Sequence, residues 1–232
     1  MIQVVIVRIA DYSTEAQTVH SLTSTLPLPV QSKLGKISNP VNRTRSAIGE
    51  LLSSWALSRF KGIKPGEAVI SYGKNGKPFL ESHPDIHFNI SHSGEYVVCA
   101  VADHEVGIDV ERVRAYNHRV AERFFSKAEL ADLEALEGEN RLNYFFVLWT
   151  IKESYLKALG RGLTKSLSSF TVAGNGDGYY ISENSETLNY SVKSLVLPGG
   201  YYLAVCIKGF SAEVLVNSIT LSEISEHLSA GI

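Results

Sequence analysis

Two segments of this 232-residue sequence carry side chains whose types and spacing suit chemistry on phosphates. In the first, Val106–Glu111, the alternation of a strand predicts that Asp109 and Glu111 project from one face, beside Gly107. The missing side chain of Gly107 leaves room for a bulky neighbour. Carboxylate ligands in this arrangement suit Mg²⁺ or Mn²⁺, which usually bind a few carboxylates together with substrate phosphates. An ordinary amphipathic strand with one polar face explains the same hexapeptide equally well.

The second segment, Trp149–Lys157, has the spacing of an amphipathic helix. Trp149, Glu153 and Lys157 are each four residues apart, so they share one stripe of that helix. Glu153 is placed to supply a third carboxylate to a metal, and Lys157 to meet a phosphate one turn further along. The alternative is a routine Glu–Lys pair on a solvated face, worth about 0.2–0.5 kcal/mol.

A third segment, Phe88–Gly94, reads as a strand that runs into a tight polar turn. Ser91 and His92 lie at its end, where adjacent backbone donors can hold an anionic group. Ser91, His92 and Asp109 can also be drawn as a hydrolase triad. However, the G-x-S-x-G elbow of such enzymes is absent, which disfavours that interpretation.

Basic side chains are concentrated in the first third of the chain and suit a ligand with several phosphates. They are Lys33, Lys36, Arg43, Arg45, Lys74 and Lys77. Each one alone is explained as a solvated surface charge. The whole chain has 22 Lys and Arg against 24 Asp and Glu, a formal charge of −2. We therefore expect no nucleic-acid partner, because there is no global basic field to hold one.

The composition predicts a protein with a real hydrophobic core and no disulfide framework. Hydrophobic residues make up 44% of the chain, and the two cysteines, Cys99 and Cys206, lie in apolar strand-like runs. Both are expected to be buried thiols. Apolar runs such as Val97–Ala102 are too short to span a bilayer, and Met1–Val7 reads as a strand rather than a signal peptide. We expect a cytoplasmic protein that does not enter a membrane.

The order of elements, a helix followed by antiparallel strands, occurs twice. Helices are predicted at Arg43–Phe60, at Ser126–Leu136 with a capping box, and at Leu142–Leu159. Asn75-Gly76 predicts a hairpin. The fold class expected is α+β, in two similar halves at residues 1–112 and 113–232 with the site between them. Each half is predicted to be an antiparallel sheet packed against a long helix.

Four motifs in this order and at these separations resemble those of the Sfp-type 4′-phosphopantetheinyl transferases. They are Phe88–Gly94, Gly107–Glu111, Arg123–Ser126 and Trp149–Lys157. The most specific combination is G-x-D-x-E followed about forty residues later by W-x-x-K-E-x-x-x-K. The likeness covers roughly residues 43–207. Because the chain is about twice as long as the trimeric holo-acyl-carrier-protein synthases, the resemblance implies the single-chain branch, a monomeric pseudo-dimer.

The resemblance implies an activity and a metal site. Enzymes of this family move the phosphopantetheine arm of coenzyme A onto a serine of an apo-acyl or peptidyl carrier protein and release 3′,5′-ADP. By motif, Asp109, Glu111 and Glu153 hold Mg²⁺, or alternatively Mn²⁺, against the pyrophosphate. Lys157 contacts the phosphates, and Glu153, Lys157 and Asp109 form the catalytic set. Either Glu153 or a water on the metal is the general base for the carrier serine.

The resemblance also implies contacts to the substrate coenzyme A. Ser91 and His92 meet its phosphates, with His92 and Arg45 near the 3′-phosphate. The segment Asn75–Pro78 lies along the adenine. The expected coenzyme contacts are Arg45, Lys77, Pro78, Ser91, His92, Lys157, Lys33 and Lys36.

Three alternatives stay open. The basic segment Val113–Arg123 either contributes to docking of an acidic carrier protein or is a linker helix between the halves. The same three carboxylates suit a metal-dependent phosphoesterase or pyrophosphatase that uses water as acceptor. A non-catalytic coenzyme A-binding module is the third, although such a protein has no need of all three carboxylates and Lys157.

Overall fold

In the computed structural model, residues 1–9, 12–64, 67, 69–175, 178–209 and 213–230 are described. The chain has the α+β composition that was predicted, and its main-chain contacts divide it into two compact units. The first unit comprises Met1–Ser71, Pro78–Asp103 and Val214–Ile232, and the second comprises Tyr72–Lys77 and His104–Glu213. These boundaries differ from residues 1–112 and 113–232, because Val106–Glu111 packs with the second unit and the end of the chain with the first.

The first unit contains a four-stranded sheet. Its strands are β1 (Ile2–Arg8), β4 (His87–Ser93), β5 (Tyr96–Ala102) and β11 (Val214–Ile219), in the order β11-β1-β5-β4. β5 is antiparallel to β1 and β4, whereas β11 is parallel to β1. The sheet is therefore mixed, which corrects the antiparallel sheet predicted for the first half. Two short strands, β2 (Ile70–Tyr72) and β3 (Pro78–Leu80), pair on either side of the predicted Asn75-Gly76 turn.

The described part of the first unit includes four helices. They are α1 (Tyr12–Thr23), α2 (Leu28–Gly35), α3 (Pro40–Lys61) and α7 (Leu221–Ala230). The predicted helix at 43–60 is α3, which begins earlier because Asn39 caps it and Pro40 occupies its first turn. Its fully buried side chains include Leu51 and Leu52, which pack in one cluster with Cys99 of β5. Helices α1 and α2 were not predicted, since the sequence of α1 is mostly polar and α2 is short and contains a proline.

The second unit contains a five-stranded sheet, and the strand pairings among its described residues are antiparallel. Its strands are β6 (Val106–Arg112), β7 (Thr171–Asn175), β8 (Gly178–Glu183), β9 (Glu186–Leu197) and β10 (Tyr201–Lys208), in the order β6-β10-β9-β8-β7. Its helices are α4 (His118–Phe124), α5 (Lys127–Glu134) and α6 (Gly138–Leu159). The predicted capping box of Ser126 and Glu129 is present at the start of α5.

Helix α6 provides much of the core of the second unit. Phe145, Ile151 and Leu156 are buried in one cluster with Cys206 of β10. The helix ends where predicted, at Gly160, whose left-handed backbone (φ +64°) closes the last turn. Both cysteines are buried thiols, as predicted. Among the helices described, none is long and apolar enough to cross a membrane.

Candidate active site

Gly107 allows helix α6 to lie directly on strand β6. A Cβ atom built at Gly107 falls 2.1 Å from the carbonyl oxygen of Ser154 and 2.2 Å from the amide nitrogen of Ala158, closer than any side chain tolerates. The bulky neighbour expected beside this glycine is therefore the helix backbone itself. Asp109 and Glu111 follow on the same face of β6, so the strand presents both carboxylates toward the side on which α6 packs.

Lys157 and Asp109 form an ion pair across this packing. The Nζ atom of Lys157 lies 2.6 Å from Oδ1 of Asp109. The aspartate side chain is only 6% exposed and the lysine 29%, so water screens the pair poorly. Lys157 is thus not part of the solvated Glu–Lys face that was the alternative interpretation of the helix.

Glu153 lies within the electrostatic influence of the same groups. Burial is the largest cause that raises the pKa of Glu153, and the charges of Asp109 and Glu111 raise it further. The ammonium of Lys157 acts in the opposite direction. The three carboxylates that were predicted separately from two motifs are therefore coupled, with Lys157 as their counter-charge.

The donor chemistry of this cluster fits a hard divalent cation, because all three ligands would be carboxylate oxygens. The three side chains do not form a preassembled ligand set, however. Nowhere in the described ranges are three or more His, Cys, Asp or Glu side chains arranged to hold a metal ion. Since Lys157 already binds Asp109, a cation would compete with this ammonium for the carboxylate.

A buried ion pair that was not predicted from the sequence also anchors α6. Lys152 Nζ lies 2.8 Å from Oε2 of Glu129, and the two side chains are 0% and 1% exposed. The same ammonium donates to the carbonyl oxygens of Leu167 and Phe170, each at 2.8 Å. Burial lowers the pKa of Lys152, and the charge of Glu129 opposes this.

Glu129 is also held at both of its oxygens. Oε1 accepts from the amide of Val172 at 2.7 Å, and Oε2 accepts from the amide of Ser126 at 2.7 Å. The network ties α5 and β7 to the residue that immediately precedes Glu153. The capping box of Ser126 and Glu129 was predicted from the sequence. The ion pair between Glu129 and Lys152 was not, because the two residues are 23 positions apart and no sequence pattern connects them.

The turn that contains Asn75 and Lys77 packs against the end of α6. Lys77 donates to the carbonyl oxygen of Ala158, and Asn75 Nδ2 donates to that of Gly160 at 3.1 Å. These carbonyls belong to the end of the helix, where the backbone leaves acceptors without helical partners. Burial lowers the pKa of Lys77 to about 8, against the raising effect of the Glu105 carboxylate. Lys77 thus caps a helix, and its contact with coenzyme A stays a prediction.

In the first unit, Arg45 reaches the turn that follows Ser91 and His92. Its Nε atom donates to the carbonyl oxygen of Gly94 at 2.9 Å and to the hydroxyl of Tyr12 at 2.7 Å. Ser91 is buried and His92 exposed on strand β4. Tyr12 was not predicted as a site residue, because α1 carries no motif.

The remaining predicted residues of the first unit lie in different settings. Lys33 pairs with the buried carboxylate of Glu50 at 3.1 Å. Lys36 is exposed at the end of α2, and Pro78 is buried in β3. The structure thus groups the three carboxylates, Lys157 and Lys77 within the second unit, and the other predicted residues belong to the first.

A cavity of about 240 Å³ lies beside Glu111 in the second unit. Its walls include Arg114, Tyr116 and Trp149. The ring of Tyr116 stacks on that of Phe145 with centroids 3.8 Å apart. The segment Val113–Arg123, predicted either to dock a carrier or to be a linker helix, is helical from His118 onward, where α4 begins.

Comparison with known proteins gives matches along almost the whole chain. The family model of the 4′-phosphopantetheinyl transferase superfamily matches residues 105–206. A second model, 4′-phosphopantetheinyl transferase, N-terminal, matches residues 11–104. The junction of the two matches falls next to the boundary of the structural units at residues 103 and 104.

Three curated proteins illustrate the similarity. The chain is 38% identical over 164 residues to 4′-phosphopantetheinyl transferase Sfp of Bacillus subtilis strain 168, an alignment that covers 70% of this chain and 73% of that protein. It is 34% identical to 4′-phosphopantetheinyl transferase gsp of Aneurinibacillus migulanus, covering 88% and 85%. A further 4′-phosphopantetheinyl transferase of Bacillus subtilis is 42% identical over 58% of this chain, and that match spans only 60% of the relative's length.

Proposed function

The chain belongs to the Sfp-type 4′-phosphopantetheinyl transferases, and from this membership we infer its reaction. It transfers the 4′-phosphopantetheine arm of coenzyme A to a serine of an apo-carrier protein. The serine oxygen forms a bond to the phosphorus that bears the pantetheine arm. The bond from that phosphorus to the bridging oxygen of the pyrophosphate breaks, and 3′,5′-ADP leaves.

We propose that Asp109, Glu111 and Glu153 hold Mg²⁺, with Mn²⁺ as the alternative. The observation that carries this proposal is the coupling of the three carboxylates around the Lys157–Asp109 pair. A bound cation supplies charge neutralisation for the phosphates and for the departing 3′,5′-ADP. Binding it requires Asp109 to be shared with, or released by, Lys157.

Lys157 is proposed to bind the phosphates once a cation has taken its place at Asp109. An ammonium released from Asp109 is suited to stabilise the negative charge that develops at the reacting phosphorus. Its position in the last turn of α6 is supported by the contacts that Asn75 and Lys77 make to the end of that helix. We therefore assign Lys157 to stabilisation of the transition state.

Glu153 is the proposed general base. A carrier serine is a poor nucleophile until its proton is removed by a group within hydrogen-bond reach. In the metal-free protein, burial and the neighbouring carboxylates raise the pKa of Glu153. A cation bound to the same carboxylate would oppose this shift, so a water on the metal is the alternative base. The serine proton passes to a carboxylate oxygen of Glu153 as the oxygen attacks.

The coenzyme contacts predicted in the first unit remain proposals. Arg45 and His92 are assigned to the 3′-phosphate and Ser91 to the phosphates, which is supported by the hydrogen bond from Arg45 to the turn after Ser91 and His92. The other proposed contacts are Lys33, Lys36, Lys77 and Pro78. We further propose that the two units are related halves of a monomeric pseudo-dimer, and that the enzyme works in the cytoplasm.

The carrier protein is proposed to dock beside Glu111. The cavity there combines a basic side chain, Arg114, with the aromatic surfaces of Tyr116 and Trp149. Carrier proteins of the acyl and peptidyl classes are typically acidic, so a basic and aromatic surface next to the metal ligands suits them.

Intact-mass analysis of an apo-carrier protein tests the function. The protein is incubated with coenzyme A, Mg²⁺ and each of several apo-carriers. The expected result is that at least one carrier gains the mass of one phosphopantetheine. Release of 3′,5′-ADP at the same rate without any carrier would instead support a phosphoesterase.

A further inference from the structure

Tyr12, Arg45 and Gly94 form a closed hydrogen-bond triangle within the first unit. The Tyr12 hydroxyl donates to the carbonyl oxygen of Gly94. Arg45 Nε donates to the same carbonyl at 2.9 Å and to the Tyr12 hydroxyl at 2.7 Å. Three segments that are distant in sequence, namely the start of α1, the first half of α3 and the β4–β5 turn, meet at this point.

The triangle determines the orientation of the Arg45 guanidinium. Its central carbon lies 5.4 Å from the centroid of the Tyr12 ring, and its Nη1 atom donates to Asn42 Oδ1 at 3.2 Å. The Tyr12 hydroxyl and the Gly94 carbonyl thus accept hydrogen bonds from one edge of the guanidinium, and the Tyr12 ring lies against its face. An arginine held in this way loses less conformational freedom when it binds a phosphate than an unrestrained one does.

The carbonyl that completes the triangle belongs to a constrained turn. Gly94 has φ +53°, in the left-handed region that favours glycine, and it follows directly after His92 and Ser93. Tyr12 and Arg45 both donate hydrogen bonds to this carbonyl. Arg45 is therefore attached to the turn next to Ser91 and His92, the predicted phosphate contacts.

We propose that Tyr12 is a positioning residue that sets the preference of this enzyme for coenzyme A over 3′-dephospho-coenzyme A, by holding Arg45 toward the 3′-phosphate. The proposal rests on the proposed function in one respect, the assignment of Arg45 to that phosphate. Tyr12 itself acts through Arg45 and not on the reacting atoms. Its effect is therefore confined to ligands that carry the 3′-phosphate.

Calorimetric titration of the full chain with each coenzyme, without carrier protein, tests the proposal. Tyr12→Phe removes the hydroxyl and keeps the ring. We expect it to weaken coenzyme A binding about fivefold, the effect of one hydrogen bond, and to change 3′-dephospho-coenzyme A binding by less than about twofold. Tyr12→Phe combined with Arg45→Gln is expected to bind coenzyme A no more weakly than Arg45→Gln alone.

Tyr144→Phe is the matched control, since the Tyr144 hydroxyl donates to Asp132 in the second unit at 3.5 Å. It is expected to leave both affinities unchanged. Equal weakening of both coenzymes by Tyr12→Phe, or no weakening of either, would overturn the positioning role. A wild type that binds both coenzymes equally would overturn the role of Arg45 and with it this proposal, whereas the transfer reaction is judged separately by the mass of the carrier.

Discussion

Lys157 and Asp109 form a close ion pair in this structure, with Nζ 2.6 Å from Oδ1. The pair joins the helix motif to the strand motif, and it occupies a carboxylate that we assign to the metal. Glu153 lies close enough for the charges of both partners to change its pKa. In the metal-free protein, the ammonium of Lys157 therefore neutralises a carboxylate that the proposed cation would have to share or displace.

Asp109→Ala is expected to reduce transfer by at least about 10²-fold, because it removes a proposed ligand of a cation that would stabilise the departing charge. The affinity for coenzyme A should fall much less, since the predicted contacts in the first unit are unchanged. Steady-state rates and calorimetry separate these effects. Asp103→Ala, which removes an exposed partner of Lys61, is the control and should behave as wild type. Equal transfer by Asp109→Ala and wild type would remove the metal-ligand assignment.

Gly107→Ala is expected to prevent α6 from packing on β6. The added Cβ atom would lie 2.1 Å from a helix carbonyl oxygen, and backbone cannot give way as a flexible side chain can. We expect a loss of at least about 3 kcal/mol in the free energy of unfolding, or failure to fold, measured by urea denaturation. Gly35→Ala is the matched control, because a Cβ atom there meets nothing within 4 Å. A Gly107→Ala protein as stable as this control would contradict the packing described.

Lys152→Met is expected to destabilise the protein by about 3–5 kcal/mol, because it leaves the buried carboxylate of Glu129 without its counter-charge. The double variant Lys152→Met with Glu129→Gln should be more stable than the single one, since no buried charge remains. Lys208→Met removes an exposed partner of Glu105 and should cost less than about 1 kcal/mol. If the single and double variants unfold at the same denaturant concentration, the pair does not anchor α6 in the way we describe.

The buried ammonium of Lys77 should make the stability of the protein depend on pH. Burial lowers its pKa in the folded protein to about 8, from an ordinary value of 10.5. Between these two pH values the unfolded chain binds more protons than the folded one, so the contribution of Lys77 to stability rises as pH rises from about 8 to 10.5. Urea denaturation of wild type and Lys77→Met across this range measures the effect. The stability difference should shift in favour of wild type with rising pH, and a constant or opposite difference would show that the ammonium is not buried against α6.

The strand and the helix of this site could be predicted from the sequence, because each is marked by a residue pattern within a single element. The alternation in Val106–Glu111 and the four-residue spacing in Trp149–Lys157 each depend on one element, and both elements formed as predicted. The sequence indicates room for a bulky neighbour at Gly107, but it does not reveal that the backbone of α6 fills this space. That requires the packing of β6 on α6 to be known.

Contacts between residues that are far apart in the chain could not be predicted from the sequence. The pairing of β1 with β11 joins the two ends of the chain, and its parallel direction has no signature in either strand. Lys152 lies in the helix motif, whereas the position of Glu129 in sequence indicates only a helix cap, so neither segment points to the other. Tyr12 lies in a polar helix without a motif, and only the fold brings its hydroxyl to Arg45.

Our main proposal is that this site transfers phosphopantetheine with the help of a divalent cation held by Asp109, Glu111 and Glu153. It is tested most directly by the intact mass of an apo-carrier protein after incubation with coenzyme A and the enzyme, with Mg²⁺ or with a chelator. We expect a gain of one phosphopantetheine with Mg²⁺, and loss of that gain with the chelator and in Asp109→Ala. No gain on any of several carriers, or an equal gain in the presence of the chelator, would contradict it.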